Sequence, residues 1–266
     1  MKRRSFVKTS LLTGSLTGLL ATVGKAAEKD LSAKSSPELY ELRMYTLKNA
    51  TQQKLVENYF KNAAIPALNR LGSKNIGVFT EQKPEGQTKL FAIIPFSSAK
   101  DFMNVENKLA KDDAYQQAAA AYLHAPAAEP AYERIESSLL EAFAAMPTLV
   151  IPENKPRIFE LRRYESPGEA AGKKKIDMFE NVGEIAIFKR VGLTPVFFGE
   201  TIIGEMRPNL TYMLTFDDMA AHDKSWKAFG SDPEWQRIKA IPGYEDKNIV
   251  SRITRTFLVP ASFSQI

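Results

Sequence analysis

From Leu39 to Leu47 the chain alternates. Tyr40, Leu42 and Met44 fall on one side of an extended strand, and Glu41, Arg43 and Tyr45 fall on the other. The period then changes. Val56, Phe60, Ala63, Ala67 and Leu71 recur at spacings of three and four, which predicts an amphipathic helix. Asn49 or Thr51 caps its start, Pro66 kinks or restarts it, and Gly72 ends it. Two strands are predicted over residues 76–80 and 89–96, joined by the turn Lys83-Pro84-Glu85-Gly86. A helix capped by Ser97 carries Phe102, Val105 and Leu109 on one stripe, Asp112 caps a short helix, and residues 132–143 read as a last strand.

The same order recurs. Glu41-Leu42-Arg43-Met44-Tyr45 returns as Glu160-Leu161-Arg162-Arg163-Tyr164, an offset of 119 residues. Asn69-Arg70-Leu71-Gly72 answers Lys189-Arg190-Val191-Gly192 at an offset of 120, as do Phe96 and Phe216, Asp112 and Asp232, and Tyr115 and Trp235. Strands are predicted over 158–164, 196–203, 210–216 and 249–258, with one helix over 173–191. Asp217 takes the cap position of Ser97, and Asp232-Pro233-Glu234-Trp235 starts a helix. A period this long is a small domain rather than a solenoid unit. Each copy is β-α-β-β-α-β, the ferredoxin-like order, an antiparallel sheet with helices on one face. The expected fold class is α+β, two tandem ferredoxin-like domains whose open sheet faces meet as an intrachain pseudo-dimeric α/β barrel. Domain one is placed at 39–143 and domain two at 157–266, with the proline-bearing segment 144–156 as an extended linker.

The first 27 residues resemble a bacterial twin-arginine signal peptide. Lys2-Arg3-Arg4-Ser5-Phe6-Val7-Lys8 precedes a mildly apolar run over 11–23, too short for a spanning helix, and Ala26-Ala27 offers small residues for cleavage. Residues 28–38 read as a flexible leader. The expected location is therefore the bacterial periplasm, with no stable membrane anchor after cleavage. Residues 1–27 hold five basic residues and no acid, so their removal turns the formal charge of +5 into zero. A near-neutral chain lacks the basic footprint of a nucleic-acid binder. The sequence has no cysteine and two histidines, which excludes disulfides, thiolate nucleophiles and a conventional zinc site.

Phe159-Glu-Leu-Arg-Arg-Tyr164, Phe188-Lys-Arg-Val-Gly192, Trp226-Lys-Ala-Phe229, Asp232-Pro-Glu-Trp235 and Phe257-Leu-Val-Pro-Ala-Ser-Phe263 resemble the NIPSNAP family, within the dimeric α/β-barrel superfamily. The first copy departs from the pattern: Asp112-Asp-Ala-Tyr115 replaces Asp-Pro-Glu-Trp, and no tryptophan answers Trp226. The resemblance implies two ferredoxin-like domains with facing sheets. It implies no single reaction, since superfamily relatives include cofactor-free oxygenases, haem-using enzymes and stress-induced binding proteins. No cofactor is assigned.

The candidate ligand-binding residues are Glu41, Arg43 and Tyr45 with Glu160, Arg162 and Tyr164. Alternation puts each trio on one sheet face, and the apolar opposite face of the first strand is expected to take the helices. The trios would then look into the space between the sheets, where arginine can clamp a carboxylate or enolate and tyrosine can donate a proton. The competing reading, which weighs more, is that Glu and Arg pair with each other and fill a polar core. His222 reads as a surface or helix-start residue before a haem ligand or general base. Trp226, Phe229 and Trp235 read as core, and Lys173-Lys174-Lys175 as a solvated helix start. Gly199 to Gly204 has the outer spacing of a phosphate loop, but Glu205-Met206 stands where Lys-Ser/Thr is required. The expected function is small-molecule binding in or beside the barrel. The alternatives are a small-molecule oxygenase or isomerase and an oligomeric scaffold, with a small molecule and a homo-oligomer as candidate partners.

Overall fold

The computed structural model describes residues 36–266. The signal-peptide reading and most of the leader, residues 1–35, lie outside the described residues. The first copy runs β1 (Leu39–Leu47), α1 (Ala50–Tyr59), α2 (Ile65–Arg70), β2 (Gly77–Glu81), β3 (Thr88–Phe96), α3 (Ala99–Leu109), α4 (Asp113–Leu123) and β4 (Arg134–Ala142). The second runs β5 (Ile158–Glu165), α5 (Glu169–Glu180), α6 (Glu184–Val191), β6 (Thr194–Ile203), β7 (Asn209–Phe216), α7 (Met219–Ser231), α8 (Pro233–Ile238), α9 (Asp246–Ile249) and β8 (Arg252–Pro260).

The strands close into one antiparallel barrel in the order β1-β3-β2-β8-β5-β7-β6-β4. Within each copy the order is ferredoxin-like, with the first strand between the fourth and the third. The two copies join at two seams. β2 pairs with β8 through Phe79–Pro260, Thr80–Val259 and Glu81–Leu258. β4 pairs with β6 from Leu139–Ile203 to Ala142–Gly199, with a bulge between Leu139 and Leu140. Each copy thus covers both open edges of the other, which removes the liability of free strand edges. Alternating directions around eight strands make β1 and β5 parallel and diametrically opposite. The pseudo-twofold axis relating the copies therefore runs along the barrel axis.

Three apolar clusters follow from this. One lies between the first sheet and its helices, with Tyr45, Leu47, Val56, Phe60 and Ile94. A second lies between the second sheet and its helices, with Tyr164, Phe179, Phe188, Phe198 and Tyr212. The third fills one end of the barrel, with Tyr40, Phe79, Phe91, Ile93, Leu140, Phe159, Phe197, Met213 and Leu258. Leu149 from the segment between the copies belongs to it, and the Leu149 N–H donates to the Glu38 carboxylate. Small and large residues complement each other across the repeat: β2 carries Gly77 and Phe79 where β6 carries Phe197 and Gly199. A Cβ on Gly199 would stand 2.9 Å from the Leu140 side chain, so that close approach requires glycine.

Several local expectations are corrected. Ser98 and Asp218, not Ser97 and Asp217, cap α3 and α7; each is extended, and its side chain accepts from the N–H three residues on. Both shift by one, so the repeat offset survives. The single helix over 173–191 is two, because Gly183 at φ +113 breaks it between α5 and α6. At Pro66 the helix restarts as expected, with Pro66 in the first positions of α2. A π-helical turn over Phe60–Ala64 joins α1 to α2, and the Ile65 N–H reaches the Phe60 carbonyl, absorbing the donor that proline lacks.

The barrel seam is testable in a chain without cysteine. Thr80→Cys with Val259→Cys places two thiols on directly paired positions, within the range a disulfide spans. Mild oxidation should consume both thiols and increase mobility on non-reducing gels. Two free thiols after oxidation of folded protein would contradict the seam.

Candidate functional site

The facing of the two trios is the reverse of the expectation. Glu41, Arg43, Tyr45, Glu160, Arg162 and Tyr164 look outward into the helical layers, and Tyr40, Leu42 and Met44 look into the barrel. The physical reason is that both sheet faces are covered. The lumen needs the more continuous apolar set, while the helices bring polar and aromatic partners of their own.

In the second copy those partners enclose a tight network. Glu160 is fully buried and accepts from Arg162 Nη1 at 2.7 Å and from Trp226 Nε1 at 2.9 Å. Arg162 Nη2 donates to the Tyr164 hydroxyl at 3.1 Å, and Tyr212 donates to the same oxygen at 2.9 Å. The Arg162 guanidinium lies over the Trp226 ring at 4.3 Å. Burial opposes its charge, but the Tyr212 and Tyr164 phenols and the Glu160 carboxylate hold its pKa above the ordinary value. His222 is buried, not a surface residue. Its Nε2 lies 3.3 Å from Glu160 Oε2, yet without the alignment a hydrogen bond needs. Its Nδ1 meets Asp223 Oδ1 at 2.8 Å. Trp226 is partly buried, and Phe229 and Trp235 are core residues, as the sequence indicates.

The first copy answers with a looser version. Arg43 donates to both Glu41 oxygens at 2.7 and 2.9 Å, and Ser137 donates to one of them at 2.8 Å. Glu106 replaces Trp226 and lies 3.6 Å from Arg43, largely exposed. The Tyr122 hydroxyl meets that of Tyr45 at 3.4 Å, and the Tyr59 and Tyr122 rings stack. At offset 120, Arg70 pairs with Asp112 and Arg190 with Asp232.

The lysine run is corrected at one position. Lys173 and Lys174 are exposed, but Lys175 is 1% exposed and lies 3.1 Å from Glu184 and 3.3 Å from Asp246. Its ammonium also faces the Tyr164, Phe179 and Trp235 rings. Burial pushes the Glu184 carboxyl up to about 7 against the pull of Lys175. Burial opposes the Lys175 charge, while Glu184 and then Asp246 hold its pKa above the ordinary value.

Neither trio lines open space, but the lumen does enclose some. Its end beyond the apolar plug is a chamber of about 410 Å³. Leu42, Met44, Phe91 and Leu161 supply apolar wall, and Ser138, Thr211, Thr254 and Thr256 supply hydroxyls. Lys89, Arg163 and Glu136 stand toward the mouth, and Glu205 and Met206 of the β6–β7 loop lie across it. Thr254 Oγ1 is buried without a partner. Arg163 Nη2 is paired with Glu165 at 3.0 Å. Asn209 holds the loop, donating to the Glu205 and Met206 carbonyls at 3.1 and 3.0 Å while accepting from Thr201 at 2.6 Å. None of these lumen residues is among the candidates the motifs supplied. The available signal was the substitution of Met44 by Arg163 inside an otherwise matching repeat. Among the described residues no group of His, Asp and Glu is arranged to hold a metal ion, and no helix is long and apolar enough to cross a membrane.

Two outcomes follow from the buried charges. Glu160→Ala strands Arg162 in a dry layer and should cost about 3–5 kcal/mol in urea unfolding, whereas Glu160→Leu with Arg162→Met should recover most of that loss. An equal loss in both variants would show that the pair is not the reason. The second outcome concerns pH. An acid whose folded pKa is raised contributes stability fully present below its unfolded value and lost as pH rises through the folded value. For Glu184 that window runs from its ordinary 4.5 to about 7. Wild-type stability should therefore carry a downward component between pH 4.5 and about 7 that Glu184→Gln lacks; equal slopes would contradict it.

The family model described as NIPSNAP matches residues 40–147 and again 159–265. No curated protein matches. Among solved structures, a candidate monooxygenase from Fusobacterium nucleatum subsp. nucleatum is similar over 85% of this chain and 93% of its own, at 10% identity and TM-score 0.56. An anthrone oxidase-like protein is similar over 86% and 93%, at 12% identity and TM-score 0.50. At these identities both show the fold alone. A NIPSNAP-like domain protein from Burkholderia xenovorans covers 41% of this chain with 88% of its own at 24% identity and TM-score 0.36. With the family matched over most of its length and in both copies, the chain belongs to the NIPSNAP family, two repeats of which form its single barrel.

Proposed function

We propose that this chain is an exported small-molecule binding protein whose ligand occupies the chamber inside the barrel. The observation that carries the reading is the chamber itself: about 410 Å³ of space with apolar walls and a few convergent polar groups. That volume and lining are typical of ligand sites. Thr254, with its buried hydroxyl lacking a partner, is a group a ligand would satisfy. The paired-arginine N-terminus supports a periplasmic location.

The two Glu-Arg-Tyr trios then serve as polar bolts between sheet and helices. Their hydrogen-bonding capacity is largely spent on Ser137, Trp226, Tyr164 and Tyr212, and neither trio lines the chamber. The chamber offers carboxylates, cations and hydroxyls but no histidine. Its volume and lining support binding.

Thr256→Trp would fill the chamber from β8. Native mass spectrometry of the full chain purified from its exported fraction should show a small-molecule adduct that the variant lacks, with both equally folded by circular dichroism. Wild-type protein that carries no adduct, and whose melting temperature no fraction of a metabolite extract raises, would contradict the reading.

A further inference from the structure

The pseudo-twofold axis along the barrel sets each lumen residue of one copy opposite its repeat equivalent in the other, and the equivalents differ in chemistry. Met44 faces Arg163 across the chamber, Phe91 faces Thr211, Glu136 faces Thr254 and Ser138 faces Thr256. Leu42 and Leu161 are alike and lie deeper, next to the plug. The chamber is therefore uneven: Met44 and Phe91 of the first copy form an apolar patch beside the polar Glu136 and Ser138, while Thr211, Thr254 and Thr256 of the second copy form a run of hydroxyls. Met206 adds a flexible apolar cover held from below by Asn209.

The charges about the chamber cancel. Lys89 and Arg163 line it, as do Glu136 and Glu205. Glu165 pairs with Arg163, and Lys89 is the first charge acting on Glu81, across the β2–β3 pairing. Arg134 and Arg252 stand one alternation step further out on the same face and are exposed. The two cations that line the chamber are matched in number by two acids, so the lining carries no net charge to offset that of a charged ligand. Taking a charged group into such a site without a partner would cost binding energy.

From this division of walls and balance of charge we infer that the ligand is an uncharged molecule, apolar along one edge and carrying hydroxyl or carbonyl oxygens along the other. Its apolar edge lies on Met44 and Phe91, and its oxygens meet Thr211, Thr254 and Thr256. The inference rests on the chamber being the binding site.

Four probes of one shape separate the possibilities: 2-naphthol, naphthalene, 2-naphthoate and 2-naphthylmethylammonium, titrated against the full chain by fluorescence near pH 7. The expected result is that 2-naphthol binds about tenfold or more tightly than each of the others, a difference of about 1.4 kcal/mol. Thr256→Trp should abolish that binding with the fold retained. Glu136→Gln, which leaves the cations in excess, should raise the affinity for 2-naphthoate relative to that for 2-naphthol. If a charged probe binds best and Thr256→Trp blocks it, the chamber is the site but the uncharged-ligand inference is wrong. If naphthalene equals 2-naphthol, the hydroxyl wall has no role and the inference is wrong. If binding survives Thr256→Trp, or no probe binds, the chamber reading falls and takes the inference with it.

Discussion

Everything in this molecule depends on the covering of two open sheets by each other. A four-stranded ferredoxin-like sheet with helices on one face has an exposed apolar face and two unpaired edges. Joining β2 to β8 and β4 to β6 satisfies both edges by backbone hydrogen bonds and encloses both faces at once. Closure also fixes an interior volume. An eight-stranded barrel has a lumen that side chains can just fill or can leave large enough for one small ligand. Here one end is filled by Tyr40, Phe79, Phe159, Phe197 and their neighbours, and the other is left open.

The sequence carried the architecture well because the signals involved are periodic and repeated. Alternation in β1 and β5, the helix stripe from Val56 to Leu71 and the Asp112 and Asp232 caps each pointed to one element, and the repeat made each support the other. Alternation identifies two faces without saying which is inside. That is why the Glu-Arg-Tyr face was assigned to the lumen when it lies under the helices. The rule that the apolar face takes the helices holds for an open sheet with water on its other side. It fails when the other side is another sheet, since both faces are then buried. The partners that make the outward polar face stable, Trp226 and Ser137, are 66 and 96 residues from the carboxylates they meet. No local pattern reports such distant contacts. Lys175 was illegible for the same reason: its partner Glu184 is nine residues away, across the break at Gly183.

The two polar layers show how unequal the copies have become. In the second, a tryptophan donates to the buried Glu160 and covers Arg162, so charge and ring seal each other from water. In the first, an exposed glutamate stands in that place, and a stack of tyrosines carries the packing instead. A buried ion pair is weak evidence for stability, because the cost of drying two charges rivals their attraction. Its clearer effect is to fix geometry. Glu160 sits between Phe159 and Leu161, which face the lumen, so anchoring its carboxylate to α7 sets the register of β5 against both layers at once.

Inequality in the lumen has a further consequence. In a barrel made from two identical chains, the twofold axis would place identical residues opposite one another, and the interior could be only symmetric. A methionine could face only a methionine, and an arginine only an arginine, at the cost of two like charges across a narrow chamber. Carrying both copies on one chain removes that restriction. Met44 can stand against Arg163 and Phe91 against Thr211, which gives the chamber an apolar side and a polar side. A two-sided interior distinguishes the orientations of an asymmetric ligand, whereas a symmetric one would accept it equally in either of two poses. The fused chain can therefore bind an unsymmetrical molecule in one orientation, and the departures from the repeat, rather than the repeat itself, are what recognition in this barrel rests on.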